Sequence, residues 1–162
     1  MGNRKMMGLY IGRFDPFHLG HLRAYELLES FVDEIKIGIG AQRKDDYFTL
    51  SERRNMVIQN TKIEPIYLED LEEGHSLYED WGRYVLGIVG KVDLIATGNE
   101  DIKKDFSNHE IPVLWLPRYD KISGTEIRRK IHLGDDSWIN LVTPASEETI
   151  KLSNFYRRNC NG

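Results

Sequence analysis

Ten residues near the start, GRFDPFHLGH (12–21), hold an arginine, an acid, two phenylalanines and the histidines His18 and His21, three apart. Three chemistries suit such a pair. A metal site would need further ligands, and His75, His109 and His132 follow with no matching spacing. A structural role would have His18 cap the loop while His21 packs against it. A phosphate site would use Gly20 to let a ligand close to the backbone. It would add the open amides and positive dipole end of a helix N-terminus, with the imidazoles as hydrogen-bond donors.

A second stretch, ISGTEIRR (122–129), has similar potential. Ser123, Gly124 and Thr125 open a helical pattern and present hydroxyls and amides to an anion, and Arg128 and Arg129 follow within about one turn. An arginine fork matches phosphate oxygens. Alone, this stretch reads better as a well-capped surface helix with two solvated arginines; a second anion-ready helix start at the same sheet edge is what favours phosphate. Other nucleotide and nucleophile signatures are missing. There is no G-x-x-x-x-G-K-[ST] loop, GIGAQR (38–43) lacks the third glycine of a dinucleotide fingerprint, and no G-x-S-x-G elbow occurs. The chemistry expected is therefore the holding and positioning of phosphates, without a covalent nucleophile.

The elements that must position these residues alternate. Apolar runs MGLYIG (7–12), IKIGIG (35–40), IEPIYLE (63–69), VDLIATG (92–98) and IPVLWLP (111–117) read as buried strands. Between them HLRAYELLESF, LSERRNMVIQN, SLYEDWGRYVLGIVG and DIKKDF carry helical spacing; EIRRKI, SWINL and SEETIKLSNFYRR follow the last strand. This order implies a Rossmann-like α/β fold: a mainly parallel sheet, helices on both faces and a C-terminal helical segment. In such sheets ligands bind beyond the carboxyl ends of the strands, which is where both stretches fall. Thr49 with Glu52 and Ser123 with Glu126 have capping-box spacing.

The 162 residues suit a single domain over 1–162, with residues 1–5 expected to fray. A net charge of −4 argues against a nucleic-acid partner, and the lone Cys160 rules out an internal disulfide and a cysteine-rich zinc site. No apolar run is long enough to span a membrane, and a cytoplasmic location is the expectation.

The residues quoted so far resemble the H-x-G-H nucleotidyltransferase superfamily, whose second motif has the form I-S-x-T-x-x-R. Within it the chain is most similar to the archaeal nicotinamide-mononucleotide adenylyltransferases. Their patterns G-R-x-x-P-F-H-x-G-H, F-T-x-x-E-R and S-G-T-E-[VI]-R-R match residues 12–21, 48–53 and 123–129. The resemblance runs over nearly the whole chain. It implies transfer of AMP from ATP to nicotinamide mononucleotide, giving NAD and pyrophosphate. Catalysis would rest on His18, His21, Arg13 and Arg128. ATP would be bound by Gly12, Phe14, Gly20, Gly98, Asn99, Arg118, Ser123 and Thr125, and the mononucleotide by Trp81, Asp70 and Arg43. Mg²⁺ would arrive mainly on the ATP phosphates with no dedicated protein site, and a homo-oligomer, often a hexamer, is implied.

Two departures stand out. TGNE (97–100) replaces the family's S-G-N-P, and Asp45 and Asp46 lie where an arginine commonly precedes the F-T motif, leaving Arg43 or Lys44 for that part. An aromatic such as Trp81 in an amphipathic helix can also simply be core. The same phosphate residues would serve an enzyme using phosphopantetheine, FMN or glycerol-3-phosphate, or a nucleotide-binding module without catalysis. Asp15 has no assigned role at this level.

Overall fold

The computed structural model describes residues 4–69, 80–116 and 121–160. Asp70 and Arg118 lie outside them. By its contacts the chain divides into two compact units. One comprises Met1–Gly12, Ala24–Ala41 and Pro65–Pro117; the other comprises Arg13–Arg23, Gln42–Glu64 and Arg118–Gly162.

The first unit holds the sheet: β1 (Met7–Gly12), β2 (Glu34–Gly40), β3 (Ile66–Leu68), β4 (Leu94–Thr97) and β5 (Val113–Trp115). All pairings are parallel, in the order β3-β2-β1-β4-β5. Tyr10 in the central strand pairs with Ile37 on one side and Ala96 on the other. Such strands are covered on both faces, which is why the central ones read as unbroken apolar runs. The edge strands are shorter than the runs that announced them. Pro65 precedes β3 and Pro112 precedes β5, and proline cannot donate to a ladder. The order reverses between β1 and β4, so their carboxyl ends, at Gly12 and Gly98, flank the switch point of the sheet.

Helices α3 (Trp81–Val89) and α4 (Glu100–Ser107) complete the core of this unit. Leu9, Ile11, Leu68, Trp81, Val85, Ile95, Ile102 and Phe106 form one buried cluster. Arg4, Lys5 and Met7 are anchored. Arg4 pairs with Asp93, Lys5 pairs with Glu34 at 2.7 Å, and the Met7 N–H donates to Asp93 at 2.8 Å.

Helix α1 (Leu19–Glu29) has its first turn in the second unit. That unit also contains α2 (Leu50–Thr61), α5 (Gly124–His132), a 3₁₀ turn (Asp136–Leu141), α6 (Pro144–Leu152) and α7 (Asn154–Cys160). Thr49 and Glu52 form the full capping box of α2. At α5 only half of the expected box exists. Ser123 accepts the Glu126 N–H at 3.2 Å, while the Glu126 carboxylate turns to Arg129. The expected single helix over 146–158 is broken at Ser153, whose backbone is extended. Its hydroxyl donates to the Ile150 carbonyl at 2.6 Å and accepts the Tyr156 N–H at 3.2 Å, ending α6 and capping α7. Helices α2 and α6 meet along a polar seam. Asn55 donates to Thr149 (3.0 Å), Asn60 donates to Ser146 (2.9 Å), and Thr143 donates to Asn60 (2.6 Å).

Candidate active site

The residues following β1 turn sharply. Phe14 has φ 56°, and its ring, 1% exposed, stacks on Phe17 with centroids 5.5 Å apart and meets His21 edge-on at 5.0 Å. This apolar floor supports the histidine pair, whose rings stack at 3.7 Å. The carbonyl of His18 accepts the first bond of α1, from Leu22 N–H at 3.1 Å. His18 Nδ1 accepts the N–H of Gly20 (3.1 Å) and of His21 (3.4 Å), and His21 Nδ1 accepts the N–H of His18 (3.1 Å).

These bonds correct the expectation of open amides at the start of α1: the Gly20 and His21 amides already have an acceptor. They also fix the tautomer. An Nδ1 that accepts has no proton, so each neutral ring carries its proton on Nε2 and presents that N–H as a donor. Burial, followed by the neighbouring His18, holds the His21 pKa well below 6.5, so His21 is neutral at physiological pH. The capping bonds thus use Nδ1 and leave the ring proton on the other nitrogen of each ring. Gly20 proves necessary for the pair itself. A Cβ there would lie 2.9 Å from His18 Cε1 and 3.0 Å from Nδ1.

Arginines of the same unit gather around this loop. Arg13 pairs with Asp46, whose side chain is 4% exposed. Arg53, fully buried, donates to the Arg13 carbonyl at 2.8 Å and lies 3.5 Å from Asp46. Burial lowers the Arg53 pKa and the Asp46 carboxylate opposes that shift. Asp15 accepts the N–H groups of Phe48 (2.9 Å) and Tyr47 (3.2 Å), and its backbone carbonyl accepts Arg128 Nη1 at 2.6 Å. Desolvation raises the Asp15 pKa against the pull of those donors.

At the start of α5, Arg128 Nη2 donates to the Thr125 hydroxyl at 3.2 Å. A side chain at Gly124 would crowd this contact, because a Cβ would come within 2.8 Å of Arg128 Nη1 and 3.1 Å of the Asp15 carbonyl. Of the two arginines in this helix, Arg128 turns to the Asp15 loop, whereas Arg129 pairs with Glu126 on the exposed side. The structure therefore brings together Arg13, Phe14, His18, Gly20, His21, Ser123, Thr125 and Arg128, with Arg43 joined through its N–H to Asp46 at 2.6 Å.

Gly12, Gly98, Asn99 and Trp81 belong to the sheet unit. Asn99 caps α4, its side-chain oxygen accepting the N–H groups of Asp101 (2.8 Å) and Ile102 (3.2 Å). Trp81 is 1% exposed, packed edge-on to Phe106 and donating to the Glu69 carbonyl at 3.4 Å. It sits in the core, so a ring stacked on it would have to displace a packed neighbour. Among the described residues no group of three or more His, Cys, Asp or Glu could hold a metal ion, so they supply no carboxylate-rich cage. Asp15, Asp46, Tyr47 and Arg53 were given no site role from sequence. The local signals were the F-T-x-x-E-R match that ends at Arg53 and the departure from the family pattern at Asp45 and Asp46.

Comparison with known proteins shows the family and the fold. The cytidylyltransferase-like family model matches residues 9–130. The nicotinamide-nucleotide adenylyltransferase of Thermococcus sibiricus is 36% identical over 160 residues, covering 90% of this chain and 83% of that protein. The enzyme of the same name from Pyrococcus furiosus is 34% identical, covering 89% and 82%. Among solved structures, a bifunctional NMN adenylyltransferase/ADP ribose pyrophosphatase from Francisella tularensis shares the fold at a TM-score of 0.72 and 18% identity. The match spans 98% of this chain and 53% of that one. A second structure of that protein, complexed with AMP and a manganese ion, aligns at a TM-score of 0.68, again with 18% identity, over 98% and 52%. The chain is thus a member of the cytidylyltransferase-like family, alongside the archaeal nicotinamide-nucleotide adenylyltransferases that it matches over about nine-tenths of its length.

Proposed function

We propose that the chain transfers AMP from ATP to nicotinamide mononucleotide, giving NAD and pyrophosphate. One observation carries the chemistry: two stacked imidazoles hold Nδ1 against the backbone N–H groups at the start of α1, which sets their protons on Nε2, in the same unit that gathers Arg13, Arg53 and Arg128. A phosphate oxygen of the mononucleotide attacks the α-phosphorus of ATP in line. The new P–O bond forms as the bond to the bridging oxygen breaks, and pyrophosphate leaves with that electron pair. No protein nucleophile takes part. The rate comes from positioning and from donors aimed at the developing charge.

In this reading His18 and His21 stabilise the transition state, and Arg13 meets phosphate at the reaction centre. Ser123, Thr125 and Arg128 hold the β- and γ-phosphates. The hydroxyls of Ser123 and Thr125 accept bonds within the protein and keep their own hydrogens for donation. The family likeness assigns Gly12, Phe14, Gly20, Gly98, Asn99 and Arg118 to ATP, and Trp81, Asp70 and Arg43 to the mononucleotide. A divalent cation, Mg²⁺ in the first instance, would travel on the phosphates and neutralise part of their charge. The same likeness proposes a homo-oligomer, often a hexamer in the family, readable by light scattering.

Pyrophosphate release from ATP is the test, with nicotinamide mononucleotide, nicotinic-acid mononucleotide, FMN, phosphopantetheine and, with CTP, glycerol-3-phosphate offered in turn. Turnover should be fastest with nicotinamide mononucleotide. His18→Ala and His21→Ala should each lower kcat about 10²- to 10³-fold, the scale of a lost transition-state donor. No turnover with that acceptor, or near-normal turnover by both variants, overturns the proposal.

A further inference from the structure

Asp46 and Tyr47 are neighbours in sequence, and they face different arginines. Asp46 pairs with Arg13, accepts the Arg43 N–H at 2.6 Å and Gln42 Nε2 at 3.1 Å, and lies 3.5 Å from the buried Arg53. Tyr47 lays its ring face against Arg128, the guanidinium carbon 4.6 Å from the ring centroid. Its N–H is held by Asp15 at 3.2 Å, and its ring is braced edge-on by Phe155 at 5.0 Å.

Neither side chain suits phosphate. A carboxylate repels it, and a phenol, though its hydroxyl can donate, brings no positive charge. Each nevertheless engages one of the two arginines that the reading above assigns to phosphate. Arginine is long and loses rotamer freedom when it binds, so one already held in place gives up less on meeting its ligand. Asp46 also stands between the charges of Arg13 and Arg53. Tyr47 holds Arg128 through its ring face without neutralising the charge that phosphate needs.

We propose that residues 46–47 act as a two-sided positioning clamp for adenylyl transfer, Asp46 setting Arg13 and Tyr47 setting Arg128. The proposal rests on the assignment of those arginines to phosphate. It predicts a split that a merely structural residue would not produce. Asp46→Asn removes a negative charge beside the phosphates, so the KM for ATP stays level or falls. Arg13 loses its fixed position, and kcat drops about 10- to 100-fold, as expected where about 1 Å of misplacement costs about 10²-fold.

The test is a pair of double-mutant cycles on the full chain, read as kcat and KM. In an Arg13→Ala background, Asp46→Asn should change kcat by less than about twofold, because its partner has gone. Tyr47→Leu, at a half-exposed position, should lower kcat about tenfold in the wild-type background and have little effect with Arg128→Ala. Unchanged kcat in either single variant, or equal losses in both backgrounds, overturns the clamp. Should Asp46→Asn fail to fold, the Tyr47 cycle decides alone. Should the wild type not use nicotinamide mononucleotide, the functional reading fails separately. The Tyr47 cycle is then read on the Kd for inorganic pyrophosphate, expected to rise about fivefold with Arg128 present and to stay level without it.

Discussion

Replacing Gly20 with alanine sets two physical effects against each other. Gly20 lies in the first turn of α1 with ordinary helical backbone, and there alanine normally stabilises by about 0.5–1 kcal/mol. The new methyl, however, would stand 2.9 Å from His18 Cε1 and 3.0 Å from Nδ1. Carbon contacts settle near about 3.5 Å, so the imidazole must retreat by about half an ångström. It is backed by the stacked ring of His21 at 3.7 Å and cannot do so without lengthening its bonds to the Gly20 and His21 amides. A lost helix cap costs about 1 kcal/mol. The two stability effects nearly cancel, leaving a net change within about 0.5 kcal/mol of zero. Activity has no such compensation. On the scale where 1 Å costs about 10²-fold, half an ångström at His18 Nε2 lowers kcat/KM about tenfold. Pyrophosphate-release kinetics and a denaturant melt on the same preparation read both quantities. A variant more stable by about 1 kcal/mol with unchanged kcat/KM would show that the ring has room to spare, and the account of the histidine pair would fail.

Gly87 supplies the contrast, being exposed in α3 with nothing within 4 Å of where a Cβ would stand. Gly87→Ala should stabilise the protein by about 0.5–1 kcal/mol in a denaturant melt and leave turnover unchanged; destabilisation would contradict it. The pH dependence follows from His21, whose pKa in the fold lies well below 6.5. Between that value and 6.5 the unfolded chain binds more protons, so this contribution is full above pH 6.5 and is lost as the pH falls. Asp15 runs the other way. Its raised pKa lets the folded state take up a proton first, which favours the fold as the pH drops through that range. Stability curves from about pH 7.5 to about pH 5 should therefore be flatter for His21→Gln than for wild type, by at most about 1.4 kcal/mol per pH unit. Parallel curves would refute the assignment of a buried, neutral His21.

The central strands were legible because burial on both faces leaves an unbroken apolar signature. Their edge neighbours were overextended because proline removes ladder donors without altering hydropathy. The split at Ser153 escaped a periodicity argument, since apolar spacing continues through it while a single hydroxyl ends one helix and begins the next. In the candidate site, both motif stretches were visible through local spacing. The residues that hold them were not. Arg13 and Asp46 are 33 positions apart, and the Arg128 bond to the Asp15 carbonyl spans 113. No periodicity links such partners. Asp45 and Asp46 appeared as departures from the family pattern, and Asp46 proves to be the carboxylate that engages the arginine of the first motif. Asp15, unassigned from sequence, joins that motif to residues 47–48.

The polar seam between α2 and α6 acts as an index mark for the buried arginine of the candidate site. Apolar helix faces can slide by a turn, about 5.4 Å, and find comparable packing. Asn55, Asn60, Thr143, Ser146 and Thr149 cannot, because a slipped register would strand part-buried amides and hydroxyls without partners. Arg53 sits on the same helix two residues before Asn55, so the register that the seam enforces also sets how far the buried guanidinium reaches toward Asp46. A well-packed apolar replacement of the seam could match the stability of the native protein while letting its arginines lose their address.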